Sequence, residues 1–194
     1  MELFGNRFDD SEGYFRVLYA ASSPLGCFVE TLARYRKPPD LKALAEALDR
    51  VENAPNERIP FGTVPISRLH NRILGQAVSK RARFADMYCA EWLSYLRRHF
   101  EPGLMARRLD ATHYFDLALL ASQDRRLTQQ IATIVYQLGY DGIHYQSRHG
   151  SNLDNWALFE PFGLDLAPST LIAPDDSNLH SALRLLNLSL DHSL

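Results

Sequence analysis

The hydrophobic pattern is most informative in the stretch YFRVLYAASSPLGCFVE, residues 14–30, which reads as a strand running straight into a helix. Phe15, Val17, Tyr19 and Ala21 fall on one face at period two, and Tyr14, Arg16, Leu18 and Ala20 fall on the other, which predicts a strand over Tyr14–Ala21. Ser22-Ser23-Pro24 then starts a helix, with Ser23 as N-cap and Pro24 at the first helical position, where a missing N–H costs nothing. Leu25, Phe28, Val29 and Leu32 make one apolar stripe, and helical phase turns Glu30 away from it, toward water or a cleft.

Further on, Lys37-Pro38-Pro39 stops that helix, and Leu41, Leu44, Ala45, Leu48 and Val51 recur at helical spacing after Asp40. Residues 53–62 form a loop, Thr63–Leu69 a short strand, and Asn71–Lys80 follows neither period. Asp86 opens a helical pattern carrying Cys89, Trp92, Leu93 and Leu96, which breaks near Pro102-Gly103 and resumes over Met105–Arg108. Phe115–Ala121 is an apolar patch of no definite type. The clearest helix covers 126–138, with Leu127, Ile131, Ile134, Val135 and Leu138 on one face and Gly139 placed to end it. After a turn at Asp141-Gly142, Ile143–Arg148 and Asn155–Glu160 read as two strands joined by a polar loop. Ile143, Tyr145 and Ser147 share a face of the first, so Ser147 ends an apolar row. From Gly163 the composition shifts. Pro168, Pro174, Asp175 and Asp176 suggest a linker, and Leu179, Leu183, Leu186 and Leu190 predict one amphipathic helix over 177–190. The expected organisation is therefore a mixed α/β domain over 1–163, its central sheet holding 14–21 and 143–148 under the 126–138 helix. Residues 164–194 are expected to add a linker and a short C-terminal helix.

A chain of 194 residues, 46% hydrophobic and 23% charged, is long enough to bury a core. Its net charge of −2 supplies no overall attraction for nucleic acid. Cys27 and Cys89 fall in predicted helices without metal spacing, and buried free thiols in a reducing cytosol are expected. No apolar run reaches membrane-spanning length and the N-terminus lacks a signal-peptide layout, so a cytoplasmic location is expected.

Signatures of dinucleotide-binding loops, P-loops, zinc proteases and serine-hydrolase elbows are absent, and Ser147, His149 and Asp154 make a poor triad. Arg7, Tyr19, Glu30 and Ser147 remain. These are parts with which a protein holds a nucleotide and breaks a glycosidic bond: a guanidinium fork for phosphate, a flat ring with a hydrogen-bonding tip, and a carboxylate facing a developing cation. By spacing alone they are equally compatible with solvated charges, a core tyrosine and a strand-ending serine.

The blocks GNRFDD, VLYAAS, FVETLARYR, RRLTQQIA, GYDGIHYQSRHG and NWALFE, in that order over roughly residues 5–162, resemble the RES domain family. That family is named for its arginine, glutamate and serine and includes toxins of bacterial toxin–antitoxin pairs. The resemblance implies a fold like that of ADP-ribosyltransferases and cleavage of the nicotinamide–ribose bond of NAD, with phosphate or water as acceptor. It puts the family's arginine on Arg7, its tyrosine on Tyr19, its glutamate on Glu30 and its serine on Ser147. NAD is then a substrate, bound by Arg7, Tyr19 and Ser147, with Glu30, Tyr19 and Ser147 as the implied catalytic residues, and no metal is expected. The implied protein partner is a helix-turn-helix antitoxin of the Xre type.

Three other readings compete. One is transfer of ADP-ribose to a protein. A non-catalytic partner-binding module is suggested by the short segment before Arg7 and the leucine-rich tail. A toxin acting on nucleic acid would rest on Lys80, Arg81, Arg83, Arg97, Arg98, Arg107, Arg108, Arg125 and Arg126, positions better explained as solvated helix edges.

Overall fold

A computed structural model describes residues 5–36, 62–70, 72–106, 120 and 125–191, with backbone alone at 101–106. In chain order the elements are β1 (Val17–Ala21), α1 (Pro24–Leu32) with a 3-10 turn at Ala33–Tyr35, β2 (Thr63–Pro65), α2 (Ser67–His70), β3 (Ile73–Ser79) and β4 (Phe84–Asp86). There follow α3 (Ala90–Ala106), α4 (Arg125–Gln137), β5 (Gly142–Gln146), β6 (Asp154–Phe159), β7 (Leu164–Leu171), α5 (Ser177–Leu186) and β8 (Ser189–Asp191). The content is mixed α/β, as expected. The chain divides into two compact units, one of Met1–Ser22, Val78–Arg148 and Asp154–Asp165, the other of Ser23–Ala77, His149–Leu153 and Leu166–Leu194.

The first unit is built on a four-stranded sheet in the order β1-β6-β5-β4. β1 and β5 both run antiparallel to β6, and β4 runs parallel to β5. Strand alternation decides which side chains enter the core. Tyr19, Ala157 and Ile143 lie in register across three strands, and Ala157 and Ile143 are fully buried. Leu127, Ile131, Ala132 and Val135 of α4 join Phe8, Phe15, Ile143, Tyr145 and Phe159 in one apolar cluster, so the 126–138 stripe packs on the sheet as its periodicity predicts. α4 ends in a Schellman motif: Gly139 takes φ +73°, its N–H donates to Tyr136 O at 2.9 Å, and the Tyr140 N–H donates to Val135 O at 3.3 Å. The helix stops at Gln137, which leaves Leu138 outside the stripe and exposed.

In the second unit, Ser23 caps α1 through Oγ, which accepts from the Gly26 N–H at 3.2 Å. Phe28, Val29 and Leu32 are buried in one cluster with Leu179, Ala182, Leu183 and Leu186 of α5. Asp176 caps α5 by accepting from the N–H groups of Asn178 and Leu179 at 2.8 and 3.0 Å. β2 pairs in parallel with β8.

Several boundaries differ from those the sequence predicts. The first strand begins at Val17, because Asp9 and Asp10 wind the preceding residues into turns. Asp9 Oδ2 accepts from Asn6 N at 2.8 Å, and the Asp10 carboxylate accepts from Glu12 N and Tyr14 N. Asp86 ends a strand instead of opening a helix, since its Oδ1 accepts from the Tyr88 N–H at 3.0 Å in an Asx-type turn. Cys89 therefore precedes α3, and both cysteines are half-buried, outside any disulfide, where full burial is expected from the sequence. α3 runs unbroken through Pro102-Gly103, so the local preference for a break gives way to context there. Only Thr63–Pro65 of the 63–69 stretch is strand, with a turn at Ile66 and α2 from Ser67. Gly142 belongs to β5 and not to a turn. The supposed linker contains β7, which tolerates Pro168 because it pairs only with β3 among the described residues. The C-terminal helix ends at Leu186, where Asn187 adopts a left-handed conformation, and Leu190 lies in β8. The helix predicted from Leu41 to Val51 and most of the 115–121 patch lie outside the described residues.

Candidate functional site

Arg7, Tyr19 and Ser147 belong to the first unit and Glu30 to the second. Tyr19 sits mid-strand on the core-facing side of β1, and its hydroxyl ties the strand to the N-terminal turn. It donates to Asp9 Oδ1 at 3.0 Å and accepts from the Phe8 N–H at 2.8 Å. That turn carries Arg7, whose guanidinium carbon lies 5.1 Å from the centre of the Phe8 ring and 5.2 Å from that of Tyr145. Both distances are in cation–π range. Phe8 and Tyr145 are themselves in contact at 5.0 Å between centroids. Gln129 of α4 holds the same turn by donating to Asn6 O at 3.1 Å. Ser147 follows β5 two residues beyond Tyr145 and is half-buried. Tyr145 thus links the arginine of the N-terminal turn to the strand that ends at the serine.

Burial, reinforced by the negative charge of Asp9, pushes the Tyr19 phenol well above its ordinary range. The unfolded chain would release this proton near the usual tyrosine value of about 10 while the folded chain retains it, so stability falls as pH rises past that point. Tyr19→Phe is expected to lose about 1–3 kcal/mol at neutral pH, since Phe8 N and Asp9 each lose a partner. It should also lose less stability than the native protein between neutral pH and about pH 11. Urea titrations of both proteins across that interval check the two effects together.

Glu30 is exposed on α1, turned from the buried stripe as its phase predicts. It lines a cavity of about 600 Å³ within the second unit, together with Arg34, Arg68 and Arg72 and with the buried Phe28, Leu32, Tyr35 and Leu69. A volume of this size falls within the range of small-molecule sites, about 300–1,000 Å³. A smaller cavity of about 110 Å³ in the first unit is lined by Phe84, Phe162 and Lys80 among others. Arg7, Tyr19 and Ser147 line neither.

The sequence reading missed Asp9 as the partner of Tyr19 and Tyr145 as the platform for Arg7. The only signal for the first was the acidic pair at 9–10 in a turn. It also missed His144, which lies between two carboxylates, with Nδ1 3.2 Å from Asp86 Oδ1 and Nε2 3.2 Å from Asp154 Oδ1. Trp156 packs on its ring at 4.6 Å. Asp154 is thereby engaged by His144, in keeping with the poor case for a Ser147–His149–Asp154 triad. Among the described residues, several of the basic positions are engaged locally. Lys80 pairs with Asp165, Arg83 donates to Gly139 O and stacks over Tyr140, and Arg98 donates to Ser94 Oγ. Arg107 and Arg108 lie outside the described residues. Among the described residues, no cluster of three or more His, Cys, Asp or Glu is arranged to hold a metal ion. None of their helices is long and apolar enough to cross a membrane.

The fold is a mixed α/β arrangement whose first unit carries a four-stranded sheet under α4. The RES domain family profile matches residues 2–175, and the chain belongs to that family. Among solved structures it is similar in fold to a chain of the M. tuberculosis MbcT–MbcA toxin–antitoxin complex. That likeness has a TM-score of 0.50 at 14% identity, covering 95% of this chain and 77% of the other. No curated protein sequence matches it.

Proposed function

We propose that the protein is the toxin of a toxin–antitoxin pair and acts by cleaving the nicotinamide–ribose bond of NAD. The observation that carries this reading is membership of the RES domain family over residues 2–175, a span that includes Arg7, Tyr19, Glu30 and Ser147. The fold shared with a chain of a toxin–antitoxin complex supports the partner half of the proposal, a neutralising antitoxin; its helix-turn-helix, Xre type follows from the family resemblance alone.

Nicotinamide is a cationic leaving group, so the C1′–N bond breaks with its electron pair returning to the ring, and no general acid is required. The protein must orient the ribose and stabilise positive charge at C1′. Glu30, exposed at its cavity, is the carboxylate for that charge. Arg7 is the fork for an anionic oxygen of the dinucleotide, held in direction by the Phe8 and Tyr145 rings. Tyr19 fixes the turn that presents Arg7, and Ser147 is available to a ribose hydroxyl or a phosphate oxygen. The C1′ cation is then captured by phosphate, giving ADP-ribose phosphorylated at that carbon, or by water, giving ADP-ribose and a proton.

Incubating the pure protein with NAD, with and without phosphate, should release nicotinamide. A second product that appears only with phosphate would identify phosphate as the acceptor. Absence of nicotinamide release under both conditions, with salt-sensitive RNA or DNA binding in its place, would overturn the reading.

A further inference from the structure

The cavity that Glu30 lines carries more charge than cation stabilisation needs. Arg34 comes from the 3-10 turn after α1, while Arg68 and Arg72 bracket the end of α2, and all three are exposed on its lining. Gathering three guanidinium groups costs like-charge repulsion, which an anionic ligand would relieve. The same lining includes the buried Phe28, Leu32, Tyr35 and Leu69, so a ligand there is an organic anion rather than a bare ion shared among surface charges. Three cations beside one carboxylate complement a molecule with two negative phosphates and one cationic ring.

We infer that Arg34, Arg68 and Arg72 form a diphosphate-binding rim for a dinucleotide whose cationic end faces Glu30. This rests on the NAD-cleaving reading and extends it. These three arginines, assigned by no motif, set how tightly the substrate is held. Guanidinium groups pair with phosphate bidentately, and their planar forks tolerate the varied approach of a flexible diphosphate.

The test uses the full chain and its Arg68→Gln/Arg72→Gln variant, both changes lying at exposed positions. Calorimetric titration with ADP should show affinity falling about tenfold or more in the variant, since bonds to charged groups are lost. Adenosine, which lacks the phosphates, should not distinguish the two proteins. In turnover assays the variant's KM for NAD should rise while kcat stays near the native value. Equal ADP affinity in the two proteins, or no ADP binding by the native one, overturns the inference even if NAD is cleaved. Arginine-dependent ADP binding by a native protein that releases no nicotinamide would leave the rim standing and refute the NAD-cleaving reading instead.

Discussion

Glu30→Gln is expected to yield a folded protein that still binds NAD but releases nicotinamide roughly 10²–10³-fold more slowly. Gln keeps the size of the side chain and most of its hydrogen bonding while removing the negative charge that opposes the developing ribosyl cation. Because Glu30 is exposed on α1 and lies off the buried stripe, the substitution should change stability by about 0.5 kcal/mol or less. Lost turnover therefore could not be blamed on unfolding. Arg7→Ala should behave differently, weakening NAD binding as well as turnover, since its guanidinium would act on the ground state too. Single-turnover nicotinamide release, paired with equilibrium NAD binding for each variant, separates the two effects. Normal turnover in Glu30→Gln would remove the carboxylate from the mechanism and with it most of the case for this site.

Where the sequence could be read, the determinants were local. Alternation over 15–21, the Ser23-Pro24 start and the Leu127–Val135 stripe each fix an element by contacts within a few turns or residues, and each element is present. Asp86 misled because a short apolar run after an Asp fits both a helix N-terminus and a strand followed by an Asx turn, and only pairing of 84–86 with β5 decides. Strand β7 was invisible for another reason. It is exposed over most of its length, with Leu166 82% and Leu171 77% exposed, so no alternation of buried and solvated positions marks it. The same division holds for the site. Arg7, Tyr19, Glu30 and Ser147 are candidates through family blocks that sit in sequence. Arg34, Arg68 and Arg72 are scattered over three local contexts and meet only in the folded second unit. The Tyr19–Asp9 bond is similarly a product of how the N-terminal turn folds back on β1.

Gly142→Val is expected to destabilise the protein by about 3 kcal/mol or more, the largest effect of any single change considered. Read as half of an Asp-Gly turn, this glycine would matter for its backbone freedom. In the structure its role is close approach. It is the first residue of β5, paired with Phe84 of β4 on one side and Leu158 of β6 on the other. A Cβ there would lie 2.3 Å from the carbonyl oxygen of Ala157 and 3.1 Å from both the Leu158 Cα and Phe84 Cδ1. The first two obstacles are backbone of a central strand, which cannot rotate aside as a side chain can. Relief would require β5 and β6 to separate at the register that also aligns Ile143 with Ala157 in the core. Domains of this size are stable by about 5–15 kcal/mol, so the loss would consume a large share of the total and reduce soluble yield. Gly75, in the exposed strand β3, provides the comparison. A Cβ there meets nothing within 4 Å, and the residue does not occupy the left-handed region. Gly75→Ala should accordingly be neutral or stabilising by up to about 1 kcal/mol through the unfolded chain. Denaturant midpoints of the two variants beside the native protein test the contrast, and similar midpoints for both would show that the sheet yields at Gly142 despite its backbone neighbours.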